Sequence, residues 1–245
     1  MIQTVLFDLD GTLLPMDQKT FVYAYFKGLG EKLLPYEFEP KALEEGLWKA
    51  VGAEIKNDGS CTNEAAFWRV FTEIFGERIV KLKPVLEDYY KNEFQDVAKA
   101  CGFSPYAKEI IDLVKQKGMT AVLATNPVFP RVATESRIRW AGLDPKDFAL
   151  YTTYENACFC KPNPKYYLEI LEKLGCQPSE CLMVGNDVDE DMVAESLGMR
   201  VFLLSDCLIN RSQKDISFFP NGGFAELQCF LDDLCANPLS KGTEN

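Results

Sequence analysis

The chain has 245 residues, a formal net charge of -11, nine cysteines and no histidine. Its length and its balance of apolar and charged residues are those of a soluble globular protein with one large domain or two modest ones. The missing histidine excludes Ser-His-Asp and Cys-His hydrolases and histidine-bound metals, and acidic charge without a Lys/Arg block argues against non-specific nucleic-acid binding.

The first predicted element is a buried strand, because residues 4–7 are all apolar or β-branched. Two carboxylates, Asp8 and Asp10, follow where this strand ends, and Gly11 permits the sharp exit that a turn requires. Two anions this close need a cation between them. Ligands of open α/β sheets bind outside the carboxyl ends of the strands, so the position suits a ligand site. Taken alone, residues 8–12 also fit a simple polar turn.

The chain from residue 17 to about residue 100 is predicted to be almost entirely helical, as a module inserted directly after the first strand. Its apolar side chains recur at helical spacing, which is typical of buried helix faces. The polar, turn-rich loop 56–60 is the part of this module that we expect to reach a ligand. The predicted helical stripes lie at 21–33, 40–55, 67–75 and 84–97.

From Phe103 onward strands and helices alternate, which is typical of a parallel sheet with helices on both faces. The predicted fold class is α/β: a doubly wound parallel sheet from residues 1–15 and 101–245, with the small helical module 16–100 inserted after strand 1. We expect 205–221 to wrap the surface and the last ten residues to be frayed. The predicted strands are 119–124, 149–153, 182–184 and 200–204, and the predicted helices are 106–117, 130–141, 164–174, 189–197 and 222–234.

Three further polar clusters fall where three of the later strands end. Because the carboxyl ends of parallel strands meet at one edge of a sheet, we expect these clusters to converge on Asp8. The clusters are Thr125-Asn126, Cys160-Lys161-Pro162 and Gly185-Asn186-Asp187 with Asp191.

These motifs resemble those of the haloacid dehalogenase superfamily. That family has a DxDGT strand end, a Ser or Thr after a second strand, a Lys before a helix and an acidic GDxxxD-like turn, in this order. The resemblance spans residues 7–191, and four ordered motifs are far more specific than any one alone. It implies a Rossmann-like core and identifies the helical module with the family's small C1 cap.

The resemblance also implies a phosphoryl-transfer site in which the two opening acids have different roles. Asp8 is the implied nucleophile, which forms an aspartyl-phosphate, and Asp10 is the implied general acid and base. Mg²⁺ is the implied cofactor, held by the Asp8 carboxylate, the Asp10 backbone carbonyl and Asp187. The implied phosphate-binding residues are Thr125, Asn126 and Lys161, with Asp191 in support.

This assignment makes two electrostatic demands on the site. Asp10 can act as an acid near neutral pH only if its pKa is raised above its ordinary value, which a neighbouring Asp8 and exclusion of water would achieve. Four aspartates against Mg²⁺ and Lys161 also leave about one net negative charge before a phosphate arrives. Backbone N–H groups must then add positive potential, and Arg131 is a candidate helper.

The fourth motif departs from the family pattern, because Gly185 is followed by Asn186 and only then by Asp187. Asp187 is the favoured metal ligand, and Asn186 as a neutral ligand is the alternative. A calcium-binding EF-hand is excluded, since Met192 stands where that loop needs Gly and Gly198 where it needs Glu.

Cysteine usage and hydropathy bear on location. An odd number of scattered cysteines indicates reduced thiols, and Cys158 and Cys160 have no second pair or histidine at zinc spacing, so no zinc site is expected. The chain has no apolar run of about eighteen residues and no signal-peptide pattern, so we expect no membrane interaction and a cytoplasmic location. The oligomeric state has no sequence signal.

The leading functional hypothesis is a Mg²⁺-dependent phosphomonoesterase acting on a small phosphorylated metabolite. A sugar-phosphate mutase of the β-phosphoglucomutase type shares the same core residues and is the alternative within the family. Dehalogenation is disfavoured, because dehalogenases of this family lack the second acid that is present here as Asp10. A non-catalytic binding or regulatory protein on the same fold is the alternative from a different class.

Overall fold

A computed structural model describes residues 1–236 of the chain. Its parallel sheet consists of β1 Thr4–Phe7, β2 Thr120–Leu123, β3 Cys181–Gly185, β4 Arg200–Leu204 and β5 Asn221–Gly222. The strand order is β2-β1-β3-β4-β5. As the sequence predicts, β1 pairs with strands far along the chain: Phe7 lies opposite Leu123 of β2 and Val184 of β3.

Helices fill the long connection after β1 and the shorter connections that follow. Between β1 and β2 lie α1 Gln18–Leu33, α2 Pro40–Ile55, α3 Asn63–Phe75, α4 Glu77–Val80, α5 Lys83–Lys91 and α6 Pro105–Gln116. After β2 come α7 Arg131–Trp140, α8 Pro164–Leu174 and α9 Phe224–Ala236. Short 3-10 segments occupy 34–36, 93–100, 145–147, 178–180 and 192–197.

Both faces of the sheet are covered, because successive side chains of a strand point to opposite faces. Val5 and Phe7 join a hydrophobic cluster with α6 and α9, whereas Leu6 joins a second cluster with α8. The predicted doubly wound α/β fold is therefore confirmed.

Most buried apolar side chains of the helical module 16–100 form one hydrophobic cluster, which α7 joins through Ala133. Phe21, Tyr25, Leu29 and Leu33 are buried in it, as their spacing predicts. The chain enters and leaves the module at adjacent points, since Gly102 N–H donates to the Pro15 carbonyl at 2.7 Å. This adjacency supports the predicted division into a core and an inserted unit.

The predicted strand at 149–153 is reduced to one bridge with β2, between Leu123 and Tyr151. At this bridge the Thr152 N–H donates to the Leu123 carbonyl at 3.1 Å. The pairing ends there, because the next N–H on that side, of Tyr154, donates to the Phe129 carbonyl at 3.0 Å and not to β2. The prediction of a strand through residue 153 is therefore wrong.

Two predicted helices are shorter or broken. The helix at 84–97 ends at Lys91, because Asn92 has a non-helical backbone, and continues only as the 3-10 segment 93–100. The predicted helix 189–197 is a 3-10 segment from Met192, because the Asp187 carboxylate accepts the N–H groups that follow it and forms a turn there. The last helix begins at Phe224, since Asn221 and Gly222 form β5.

Other expectations concern the surface and the terminus. Segment 205–221 is mostly exposed, as predicted, and the expected fraying of the last ten residues falls, apart from Ala236, outside the described residues. Every cysteine whose side chain is described is a free thiol. Within residues 1–236, no helix is both long enough and apolar enough to cross a membrane.

Candidate functional site

Asp8 stands directly after β1, at the carboxyl edge of the sheet. Its N–H donates to the Val184 carbonyl at 2.9 Å, which fixes the backbone between two strands. The carboxylate is largely buried; Oδ1 accepts from Lys161 Nζ at 2.8 Å and Oδ2 accepts from the Thr12 hydroxyl at 3.1 Å. Asp8 is thus oriented by one charged and one neutral donor.

The turn after Asp8 depends on Gly11 and Asn186. Gly11 has φ +93°, and a Cβ at this position would collide with the Asn186 amide. Asn186 is buried; its Oδ1 accepts from Thr12 at 3.0 Å and its Nδ2 donates to the Cys207 carbonyl at 2.6 Å. Both ends of the Asn186 amide are therefore committed to holding this turn.

Lys161 is a buried ammonium between two carboxylates. It donates to Asp8 at 2.8 Å and to Asp191 Oδ1 at 2.6 Å. Burial lowers the pKa of Lys161, but Asp191 and Asp8 outweigh that effect and hold the pKa well above its ordinary value, so the ammonium stays charged. Asp191 also accepts from the Asp187 N–H at 2.9 Å, and a Cβ on Gly185 would collide with its carboxylate.

Asp10 is paired with an arginine that the sequence analysis did not single out. Arg137 Nη1 donates to Asp10 Oδ2, and the other carboxylate oxygen, Oδ1, is buried without a hydrogen-bond partner among residues 1–236. Burial raises the pKa of Asp10 above its ordinary value, although Arg137 acts in the opposite direction. Arg131, the predicted helper, is exposed and its N–H is bound by the Glu155 carboxylate, so that prediction is wrong.

Asp187 is fixed at both carboxylate oxygens. Oδ1 accepts from the N–H groups of Asp189 at 2.8 Å and Glu190 at 3.0 Å. Oδ2 accepts from Arg211 Nη1 at 2.7 Å, and the same guanidinium donates through Nη2 to Gln18 of α1 at 2.8 Å. Arg211 therefore links the fourth motif to the helical module.

Thr125 and Asn126 follow β2 and lie beside these acids. Thr125 is buried, and its carbonyl accepts from the Tyr166 hydroxyl at 2.9 Å. Asn126 accepts from the Lys161 N–H at 3.2 Å and donates to Glu190 at 3.1 Å. The Asn126 amide thus bonds to protein groups on both sides.

A cavity of about 340 Å³ opens between this edge of the sheet and the helical module. Asp8, Asp10, Thr125, Asn126 and the acids of the fourth motif line it, whereas Lys161 lies behind them. The loop 56–60 does not line it, contrary to expectation, because the loop packs against the core and Gly59 meets the Phe159 ring.

The donor set at this edge is chemically suited to a hard divalent cation. Asp8 and Asp187 offer carboxylate oxygens and Asp10 offers a backbone carbonyl, which are the ligands that Mg²⁺ prefers. No cluster of three His, Cys, Asp or Glu side chains forms a ready metal cage among residues 1–236. Mg²⁺ usually binds through one or two carboxylates together with waters and substrate phosphate, so the residues present fit this ion.

Comparison with known proteins gives the family. The model of the haloacid dehalogenase-like hydrolases matches residues 2–196. The chain belongs to this family. The resemblance in the motifs is thereby confirmed, and the protein is a hydrolase by family.

Relatives and solved structures agree with this assignment. A glyceraldehyde 3-phosphate phosphatase from Methanothermobacter thermautotrophicus is 29% identical over 84% of the chain and 86% of its own length. A phosphoglycolate phosphatase from Pectobacterium atrosepticum is 27% identical over 81% of the chain and 78% of its own length. The crystal structure of a 2-haloacid dehalogenase from Pseudomonas syringae has 22% identity and a TM-score of 0.62, covering 95% of this chain and 99% of that one; it shows the shared fold.

Three charged residues at the site were missed by sequence reasoning. Arg137 could have been found, because it stands four residues from both Ala133 and Ala141 on a buried stripe, where a lone charge signals an ion pair. Arg211 had no such signal, since its segment has no periodic pattern, and Glu190 stands at the start of a predicted helix, where an acidic side chain is ordinary.

Proposed function

We propose that the protein is a Mg²⁺-dependent phosphomonoesterase that forms an aspartyl-phosphate on Asp8. The observation that carries this proposal is the charged Lys161, which joins Asp8 and Asp191 beside a cavity large enough for an organic phosphate. The phosphatase names of the relatives support the same reaction class.

In the first step Asp8 attacks the phosphorus atom of the bound ester. A bond forms between the carboxylate oxygen and phosphorus, and the bond from phosphorus to the alcohol oxygen breaks. Asp10 gives its proton to the departing alkoxide, and its raised pKa favours the protonated form that this step needs. Lys161 remains beside Asp8 and balances negative charge on the phosphoryl oxygens.

In the second step water cleaves the aspartyl-phosphate. Asp10, now ionised, accepts a proton from the attacking water, and the Asp8 carboxylate is released as the leaving group. The products are the free alcohol and inorganic phosphate. One residue can act first as acid and then as base because the leaving alkoxide and the attacking water use the same side of phosphorus in turn.

The ligands that we assign to Mg²⁺ are the carboxylates of Asp8 and Asp187 and the backbone carbonyl of Asp10. Bound there, the ion would neutralise the phosphoryl group and make phosphorus more electrophilic. Asn186 is the weaker candidate, because its amide is neutral whereas Asp187 contributes a negative charge to the cation.

The charges of the site support binding of an anionic ester to the metal-loaded protein. Four aspartates and Glu190 face three cationic side chains, which leaves two carboxylates uncompensated without metal. A divalent cation offsets both charges, so that a phosphate dianion no longer meets a net negative site. The cationic side chains are Lys161, Arg137 and Arg211.

We also propose a role for the helical module and a location for the enzyme. Residues 16–100 form a C1-type cap that covers the site of the core formed by 1–15 and 101–245, and the enzyme works in the cytoplasm. The cap is supported by the cavity, which residues of the module and of the core line together, and the location is supported by the free thiols.

The test is phosphate release from a broad panel of phosphorylated metabolites with Mg²⁺ and with excess chelator. We expect release that requires Mg²⁺ and is abolished in Asp8→Asn. Asp189→Asn serves as the control, because Asp189 bonds to Ser212 and Lys214 and does not line the cavity. No Mg²⁺-dependent release would count against the proposal, and isomerisation of a sugar phosphate in the presence of its bisphosphate would favour the mutase.

A further inference from the structure

The cavity beside Asp8 extends far into the helical module, and its lining there is aromatic. Ten aromatic side chains border the cavity, eight from the helical module and two from the core. Phe26 and Trp48 meet edge to face with ring centroids 5.3 Å apart, and Phe67 and Phe71 lie 5.0 Å apart. The end of the cavity away from the acids is therefore a wall of ring faces and edges.

Two of the polar groups in this wall are committed to each other. The hydroxyls of Tyr25 and Tyr90 are hydrogen-bonded at 2.8 Å, which leaves the two rings as the surfaces available to a ligand. Aliphatic side chains, Val51 and Leu86 among them, fill the space between the rings. Such a surface stabilises an apolar group through burial and offers little to a strongly hydrated one.

The cations that border the cavity are already engaged. Lys83 Nζ lies 4.3 Å from the centroid of the Trp68 ring and 4.0 Å from the Glu64 carboxylate. Arg211 is bonded to Asp187 and Gln18 at the opposite end. The part of the cavity lining that the helical module supplies therefore contains one cation, Lys83, and two carboxylates, those of Glu64 and Glu87.

This arrangement disfavours a second anionic group on the substrate. A carboxylate or second phosphate would have to enter the aromatic end of the cavity, where it would lose its hydration and meet an excess of negative charge. The phosphate end differs, because it has Lys161 and the proposed metal ligands. Charge on the substrate should therefore be confined to one phosphate.

Resting on the phosphatase function proposed above, we infer that the substrate is a phosphate monoester of an uncharged, hydrophobic alcohol, about the size of one aromatic ring. A cavity of about 340 Å³ lies at the small end of the range for ligand sites, which suits a phosphate with one such group. The inferred substrate class differs from the substrates in the names of two relatives, which are phosphoglycolate and glyceraldehyde 3-phosphate.

The experiment compares benzyl phosphate, 4-carboxybenzyl phosphate and methyl phosphate at saturating Mg²⁺. The two benzyl esters have nearly the same leaving group and differ in charge, whereas benzyl and methyl esters differ in apolar area. We expect kcat/KM for benzyl phosphate to exceed that for methyl phosphate by about 10- to 100-fold, from burial of the ring. The added carboxylate should lower kcat/KM by at least about tenfold.

Two cavity variants and one control test the source of the preference. Trp48→Ala should reduce the benzyl-to-methyl ratio, and its side chain is 50% exposed, so its removal is compatible with folding. Val51→Arg adds a cation to the aromatic end and should raise kcat/KM for 4-carboxybenzyl phosphate relative to benzyl phosphate. Tyr23→Ala, on an exposed position of α1 outside the cavity, should leave both ratios unchanged.

Binding measurements test this inference independently of the proposed reaction. Benzylphosphonate, its 4-carboxy derivative and methylphosphonate are not hydrolysed, and their dissociation constants can be measured by titration calorimetry with Mg²⁺ present. Tightest binding of benzylphosphonate supports the inference even if no ester is cleaved, in which case the phosphatase proposal fails alone. Equal or tighter binding of the 4-carboxy compound or of methylphosphonate overturns the inference, whether or not phosphate is released.

Discussion

Arg137 donates to the Asp10 carboxylate from a position with no solvent exposure, and its guanidinium carbon lies 4.4 Å from the centroid of the Phe129 ring. An arginine side chain keeps its charge in a protein, so this buried cation requires a nearby anion. Asp10 supplies it in its ionised form, which is the form that the second step of the proposed reaction uses. The proposed proton carrier is thereby tied to α7 of the core.

Removal of Arg137 should therefore cost more stability than the loss of one hydrogen bond. We expect Arg137→Met to lower the free energy of unfolding by about 3–5 kcal/mol, because it leaves Asp10 partly buried without its partner. The double variant Asp10→Asn/Arg137→Met should regain part of this loss, since no uncompensated charge remains. Urea denaturation of the four proteins measures the coupling, and strictly additive effects would show that the pair is not an energetic unit.

Asp10 itself should matter for turnover. Asp10→Asn removes the proton that the leaving alkoxide needs, so we expect kcat to fall by about 10²- to 10⁴-fold. The measurement is phosphate release under steady-state conditions, with Asp189→Asn as the matched substitution outside the cavity. A kcat within about threefold of the unsubstituted protein would contradict the assigned role.

Lys161 should affect both the activity and the stability of the protein. Lys161→Met removes the charge that balances the phosphoryl group, and we expect kcat/KM to fall by about 10²- to 10³-fold. It also leaves Asp8 and Asp191 facing each other. Adding Asp191→Asn removes one of these charges, so the double variant should recover thermal stability without recovering activity. Recovery of both would mean that Lys161 has only a structural role.

The sequence was sufficient to predict the sheet, the inserted helices and the acids at the carboxyl edge. β1 is short and continuously apolar, which is typical of a strand buried on both faces. Because the carboxyl ends of parallel strands meet at one edge, polar residues that follow several such strands predict a ligand site there. The segment at 149–153 has the same local pattern as a strand. Its pairing with β2 stops after Thr152 because the Tyr154 N–H donates to the Phe129 carbonyl, and such a tertiary contact has no periodic signal in the sequence.

The charge partners of the acids were harder to predict than the acids. Lys161 was identified because it belongs to a motif, whereas Arg211 comes from a segment without regular structure that returns to the site after β4. Periodicity cannot describe such a segment, since its position depends on bonds such as Ile209 N–H to the Asn186 carbonyl at 2.8 Å. The stripe 21–33 was correctly predicted to be buried, whereas in the stripe 67–75 Phe71 is buried and Ile74 is exposed. The role of these helices as the cavity wall could be seen only in the folded structure.

Mg²⁺ dependence should distinguish Asp187 from Asn186. Asp187→Asn removes a proposed ligand charge, and we expect the Mg²⁺ concentration for half-maximal activity to rise by at least about tenfold. Asn186→Ala should mainly lower stability, because it releases the turn held through Thr12. Titration calorimetry with Mg²⁺ and thermal unfolding measure the two effects separately. A larger loss of Mg²⁺ affinity in Asn186→Ala would transfer the ligand role to Asn186.

Glu54 gives a prediction about pH and stability. This residue lies in the last turn of α2 and is fully buried, and within the part of the chain that the structure describes neither carboxyl oxygen has a hydrogen-bond partner. Burial raises its pKa well above the ordinary 4.5. The unfolded chain therefore loses this proton at lower pH than the folded protein does. Glu54 consequently costs most stability once the pH has risen past the folded pKa, and least at or below 4.5.

Glu54→Met should therefore stabilise the protein in a pH-dependent way. We expect the free energy of unfolding to rise by about 1–3 kcal/mol near neutral pH, because an unpartnered buried carboxyl is replaced by an apolar side chain. The gain should shrink as the pH falls toward 4.5. Urea denaturation at several pH values measures it, with Glu45→Met on the exposed face of α2 as the control. A gain that is constant with pH would show that the Glu54 carboxyl does not titrate differently in the folded and unfolded states.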